Sequence, residues 1–247
     1  MTVAAVILTI AVTIISSCGG GPGQRIKDIE AQKPSPSPTP GEREISGSFS
    51  VTGADTSDAD PYTGSLTVTP QGNVYSFRWA TTKGTRVGTG VQFGSTTAAT
   101  YAATGGGKGC GVVLYKIASD GSLDGRSALW GEDKFGTEKA TRLEGRGFVG
   151  KYSSTRTASN GKPYSATLSI TKDGSGYDFE WINEDDPSAM GKRLVGFGIW
   201  KGSVAAVSFG GRQCSFALYE IQSDGSLKGD WGGQKQVTFG IETAKRQ

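Results

Sequence analysis

From residue 45 onward, apolar and polar positions alternate in short runs separated by turn-forming residues, and no stretch shows the 3.6-residue period of an amphipathic helix. Tyr75, Phe77 and Trp79 fall on one side of such a run while Ser76 and Arg78 fall on the other, the pattern of a half-buried antiparallel strand. Asp120-Gly121 and Asp224-Gly225 carry hairpin-turn chemistry, since Gly takes a positive φ without steric cost. Up to residue 143 the runs predict eight strands, near 47–53, 63–70, 73–81, 86–94, 96–103, 111–118, 122–130 and 136–143. Short strands joined mostly by hairpins favour an up-and-down meander, and closure into a barrel removes its exposed edges. A barrel of this size holds either packed side chains or one small ligand.

The whole pattern then repeats. Pro61-Tyr62-Thr63-Gly64-Ser65-Leu66-Thr67-Val68-Thr69 returns as Pro163-Tyr164-Ser165-Ala166-Thr167-Leu168-Ser169-Ile170-Thr171. Tyr75-Ser76-Phe77-Arg78-Trp79 returns as Tyr177-Asp178-Phe179-Glu180-Trp181, and Gly88-Thr89-Gly90-Val91 as Gly196-Phe197-Gly198-Ile199. Leu114-Tyr115-Lys116-Ile117 and Ser119-Asp120-Gly121-Ser122-Leu123 match Leu218-Tyr219-Glu220-Ile221 and Ser223-Asp224-Gly225-Ser226-Leu227, and Gly136-Thr137-Glu138 matches Gly240-Ile241-Glu242. The expected fold is therefore all-β, with two tandem antiparallel up-and-down β-barrel-like domains of about eight strands each, at 45–143 and 144–247. These motifs, across nearly all of 45–247, resemble a group of bacterial exported repeat domains, some of which carry the label fibronectin-binding. The meander is also generically similar to avidin and lipocalin barrels, without their binding motifs.

Ahead of the repeats lie two segments of different character. Thr2 to Ser17 is uncharged and apolar or small, too short to span a bilayer comfortably and of the size of a signal-peptide core, which assigns 1–17 as a leader. Ile15-Ser16-Ser17-Cys18 resembles the bacterial lipobox, although no Lys or Arg precedes Arg25. The resemblance implies cleavage before Cys18 and acylation of that Cys, hence a lipoprotein held to the membrane through its N-terminal lipid. An ordinary secretory signal or an uncleaved anchor are the other readings. By the same resemblance, Gly19 after the Cys favours the outer membrane in a Gram-negative cell envelope. Residues 18–44 are Gly- and Pro-rich, with alternating Pro34, Pro36, Pro38 and Pro40, and read as an extended tether.

Composition narrows the chemistry. The 247 residues contain no His, which removes Ser-His-Asp and Cys-His nucleophile systems, His-containing zinc sites and imidazole proton shuttles. Three Cys are too few for a four-thiolate metal site, and a net charge of +3 spread along the chain gives no basic patch for nucleic acid. No metal or cofactor is expected, and the chain is not expected to be an enzyme. Glu138 and Glu242 recur at the last strand of each copy and are expected to satisfy polar groups at barrel closure; a glycosidase pair with Asp124 or Asp230 would need the equivalent acids brought together. Gly105-Gly106-Gly107-Lys108-Gly109 lacks the strand-to-helix context of a phosphate loop, and Glu184-Asp185-Asp186 lacks calcium-loop spacing.

Cys110 and Cys214 occupy equivalent places in the two copies. They are either a candidate disulfide, which would require the two copies to pack together, or two buried thiols acting as small hydrophobes. Val112 and Leu114 face one way and Val113, Tyr115 and Ile117 the other, and the second copy repeats this with Phe216 and Leu218 against Ala217, Tyr219 and Ile221. A strand apolar on both faces needs cover on its outside, and the sister copy is the expected cover. Trp130, Trp200 and Trp231 do not recur cleanly and are the candidate ligand-contacting aromatics. The expected function is a membrane-anchored extracytoplasmic binding lipoprotein that recognises an extracellular protein or glycan through its loops. The alternatives are a small-molecule carrier using a hollow barrel, or an envelope structural protein without a specific ligand.

Overall fold

A computed structural model describes residues 42–55, 61–102, 108–184, 193–234, 236 and 238–247. Cys18, the leader, the tether up to residue 41 and Gly105 to Gly107 lie outside these residues. The first copy supplies β1 (Gly47–Ala54), β2 (Pro61–Gln71), β3 (Val74–Thr81), β4 (Gly84–Phe93), β5 (Thr96–Ala102), β6 (Gly111–Ile117), β7 (Leu123–Leu129) and β8 (Gly136–Arg146). The second supplies β9 (Val149–Thr157), β10 (Pro163–Asp173), β11 (Gly176–Asn183), β12 (Arg193–Lys201), β13 (Val204–Phe209), β14 (Cys214–Ile221), β15 (Leu227–Gly233) and β16 (Gly240–Arg246). The eight strands predicted for the first copy are all present, and alternation of buried and exposed positions is clear in β1, β2 and β9.

The strands close into two antiparallel eight-stranded barrels, as the sequence predicts, but the barrels are not coextensive with the copies. Barrel 1 runs β1-β2-β3-β4-β5-β14-β15-β16 and back to β1, and barrel 2 runs through the eight consecutive strands β6 to β13. Each copy thus gives five strands to one barrel and three to the other. The physical cause is a two-residue connection: Arg146 pairs with Val149 across Gly147 and Phe148, so β8 must lie beside β9 in one sheet. The last strand of the first copy is then spent on barrel 2, and β1 closes against β16 instead.

The chain crosses between barrels twice, after β5 and after β13, and Cys110 and Cys214 form a disulfide at this double crossing. The bridge encloses barrel 2 in a covalent loop with a sequence separation of 104 residues. In the chain-entropy account, closing a loop of this length in the unfolded chain is worth about 4.7 kcal/mol. The apolar outer faces cover one another here: Val112, Leu114, Phe197, Ala206, Phe216 and Leu218 belong to one buried cluster with Val74 and Val91. Val113 and Tyr115 turn into barrel 2, while Ala217, Tyr219 and Ile221 turn into barrel 1.

Ahead of β1, residues 42–46 strap the two barrels together. Glu42 pairs with Arg126 of β7, and Arg43 donates to the Ile221 carbonyl at 2.5 Å. Gln92 donates to the Arg43 carbonyl at 2.7 Å, and Arg246 to the Glu44 and Ser46 carbonyls at 2.9 and 2.7 Å. Ile45 is fully buried and closes this end of barrel 1, as Phe148 closes the equivalent end of barrel 2.

Because each barrel needs strands from both copies, residues 42–146 expressed alone are expected to be unable to form a monomeric closed barrel. Size-exclusion chromatography should find them as a strand-exchanged dimer or an aggregate, and a folded monomer would contradict the topology.

Candidate functional site

Two buried carboxylates organise the barrel interiors, at the end of each barrel remote from Ile45 and Phe148. In barrel 1 the directly paired residues on three neighbouring strands are Glu242 on β16, Gly53 on β1 and Tyr62 on β2. In barrel 2 the same three places hold Glu138 on β8, Arg156 on β9 and Tyr164 on β10. On the other side of each Glu stands a glycine, Gly229 or Gly125, whose missing Cβ leaves room for the ring of Tyr219 or Tyr115 to lean towards the carboxylate. Glu138 accepts hydrogen bonds from Tyr115 Oη at 2.8 Å, Ser154 Oγ at 2.6 Å and Trp181 Nε1 at 3.1 Å. Arg156 Nε lies 3.4 Å from Glu138 Oε2, both side chains almost wholly buried, with the guanidinium over the Trp181 and Tyr164 rings.

Barrel 1 lacks this internal cation. Tyr62 fills the space that a side chain at Gly53 would need and donates to Glu242 Oε2 at 2.7 Å. Trp79 Nε1 donates to Glu242 Oε1 at 3.2 Å, and Tyr219 Oη to the same oxygen. Among the described residues Glu242 makes no ion pair; Arg86 stays at the rim, 5.5 Å from the Tyr101 ring centroid. Desolvation therefore pushes the Glu242 carboxyl up, outweighing its three donors and the Arg86 charge. Burial first, then the Glu242 charge, holds the Tyr62 and Tyr219 hydroxyls well above the usual phenol range. The free space among these groups is about 10 Å³, room for about one water.

Both interiors are otherwise packed with aromatics. Phe77 stacks on Trp79 and Phe179 on Trp181, with centroids 5.5 and 5.7 Å apart. The glutamates' partners are side chains on other strands, which residue spacing could not disclose. Asp124 and Asp230 join neither cluster: they pair with Lys139 and Lys201 on the outer surface. Glu184 accepts from Thr167 Oγ1 at 2.9 Å, and Asp185 and Asp186 lie outside the described residues.

The three candidate tryptophans are not brought together. Trp231 takes the β15 place held by Ser127 in β7, and its ring meets Tyr62 edge-on at 6.1 Å beside the Glu242 cluster. Trp130 lies just beyond the end of β7, half-buried, and its backbone N–H donates to the Cys110 carbonyl. Trp200 is 38% exposed at the hairpin end of barrel 2, stacked on Phe148 at 5.2 Å. Outside the barrels, a groove of about 460 Å³ runs over β10 to β13, where Val195 is exposed beside Asp178, Glu180, Arg193 and Arg212. Glu180 pairs with Arg193, while burial and the nearby Asp173 charge push the Asp178 carboxyl up. A second outer groove of about 520 Å³ is lined by residues that include Lys116, Asp124 and Lys139.

Arg156→Ala would strand Glu138 in the core, and chemical denaturation should show a loss of about 3–5 kcal/mol. For Glu242 the folded value is raised, so its protonated form stabilises the fold below the ordinary Glu range and that contribution is lost as pH rises through the raised value. Glu242→Gln should therefore melt above the wild type at pH 8, with the difference shrinking towards pH 4 in calorimetry. No protein-family model, curated protein or solved structure matches this chain.

Proposed function

We propose that this chain is a lipid-anchored binding protein of the bacterial envelope, held through acylated Cys18 and the 18–44 tether, that recognises a protein or glycan on its outer surface without catalysis. The observation that carries this reading is where space is found. Barrel 1 has about 10 Å³ free around Glu242, whereas grooves of about 460 and 520 Å³, the size of ligand sites, lie outside the barrel walls. A carrier using the barrel interior needs an internal cavity of some hundreds of Å³. The groove over β10 to β13 combines an exposed apolar residue, Val195, with acids and bases at its walls, which suits a partner presenting both hydroxyl or amide groups and apolar surface.

Metabolic labelling with a fatty-acid analogue should mark the wild type and not Cys18→Ala. The full chain without its lipid should bind members of a panel of glycans and purified matrix proteins, fibronectin included. Arg212→Glu and Val195→Asp should weaken that binding at least tenfold without changing the circular dichroism. Binding to no panel member, together with a hydrophobic small molecule co-purifying in stoichiometric amount, would replace this reading with the carrier.

A further inference from the structure

Barrel 2 shows what the interior of this barrel accommodates when its buried glutamate is given a cation. The guanidinium of Arg156 sits beside Glu138, against the Trp181 face at 5.4 Å and the Tyr164 face at 5.3 Å. Barrel 1 keeps most of that arrangement: Glu242 for Glu138, Trp79 for Trp181, Tyr219 for Tyr115 and Tyr62 for Tyr164, with Val51 in place of the donor Ser154. The cation paired with the glutamate is missing, because Gly53 stands where Arg156 does, although Arg86 stands where barrel 2 has Leu194. Aromatic faces around a desolvated carboxylate make a favourable environment for a delocalised, weakly hydrated cation.

We propose that this end of barrel 1 is a binding site for an external guanidinium group, which pairs with Glu242 when Tyr62 turns outward to the position that Tyr164 occupies in barrel 2. Tyr62 is 5% exposed and fills the cage, whereas Tyr164 is half-buried and yields its place to Arg156. Turning Tyr62 outward frees a space beside Glu242 Oε2, the oxygen it now bonds. Trp231 forms part of the cage wall. Arg86 lines the same cage over the Tyr101 face and its charge acts on Glu242, but among the described residues it forms no ion pair with that carboxylate, which leaves the pairing place open. The binding step is non-covalent: the Tyr62 hydroxyl leaves Glu242 for solvent, and the guanidinium N–H groups replace it as donors. The strap that follows the tether enters at the opposite end of barrel 1, so this site faces away from it. The inference stands on the interior of barrel 1 and is independent of the outer groove.

The test is calorimetric titration of the full chain, at low salt and pH 8, with N-propylguanidine and with the neutral isostere N-propylurea. A blocked Gly-Arg-Gly peptide runs in parallel to separate a free base from an arginine side chain of a partner protein. Saturable binding of propylguanidine or the peptide, absent for propylurea, is expected. Glu242→Gln should weaken it at least tenfold, and Tyr62→Ala, which removes the ring that occupies the cage, should tighten it several-fold. Gly53→Arg should abolish it, by supplying the cation internally. A peptide that binds as well as propylguanidine assigns the ligand to a protein side chain, and binding of propylguanidine alone assigns it to a small base. Absence of saturable binding in both the wild type and Tyr62→Ala overturns the proposal, as does affinity unchanged in Glu242→Gln or equal affinity for propylurea.

Discussion

The turn at Gly147 and Phe148 decides the architecture. With only those residues between them, β8 and β9 have to pair antiparallel, and every later choice follows from that pairing. Barrel 2 then forms from consecutive strands around the turn, and β1 and β16, the outermost strands among the described residues, are left to find each other across a long stretch of sequence. Barrel 1 therefore depends on contacts of very high sequence separation, such as Tyr62 with Glu242, whereas barrel 2 closes on contacts local to its own stretch. By the relation between contact separation and folding speed, barrel 2 is the part expected to form first and to present β5 and β14 with their partners.

Duplication provided two copies of one interior, and the copies have solved the same electrostatic problem differently. A carboxylate placed among Tyr and Trp donors inside an apolar barrel needs either a counter-charge or a shift towards its neutral form. Glu138 has the counter-charge in Arg156. Glu242 has three hydrogen bonds and a raised affinity for a proton. Gly53 against Arg156 is the position that removes the ion pair, and the placement of one tyrosine accompanies it; Val51 against Ser154 and Arg86 against Leu194 differ as well.

Much of this was legible in the sequence, because a strand buries one face at a time and a period of two survives in the residue order. The eight strands of the first copy, the inward aromatics Phe77 and Trp79, and the doubly apolar strands at Val112–Leu114 and Phe216–Leu218 all follow from alternation. The exchange of strands was not legible from the repeat, since both copies carry the same motifs in the same order whichever barrel they join. What carried the signal was the brevity of the link between Arg146 and Val149, a feature of turn length and not of pattern. The glutamate clusters were half legible. Their recurrence at the closing strand was visible, but their partners come from positions such as Tyr62 and Trp79, which only closure brings within reach. Trp130 and Trp231 share a Trp-Gly pair that suggests equivalence, and strand register places Ser127, not Trp130, opposite Trp231 in the comparison.

The disulfide also changes what happens when the chain is pulled. The described residues begin and end at barrel 1, so tension applied at residues 42 and 247 is borne first by β1 and β16, which lie side by side. Once those strands part, the load reaches Cys110 and Cys214 and passes through the sulfur bridge, skipping all of barrel 2. At roughly 3.4 Å per residue, about 350 Å of contour stays locked until the bridge is reduced. Under oxidising conditions barrel 1 takes the load, and barrel 2 lies off the load path until the bridge is reduced.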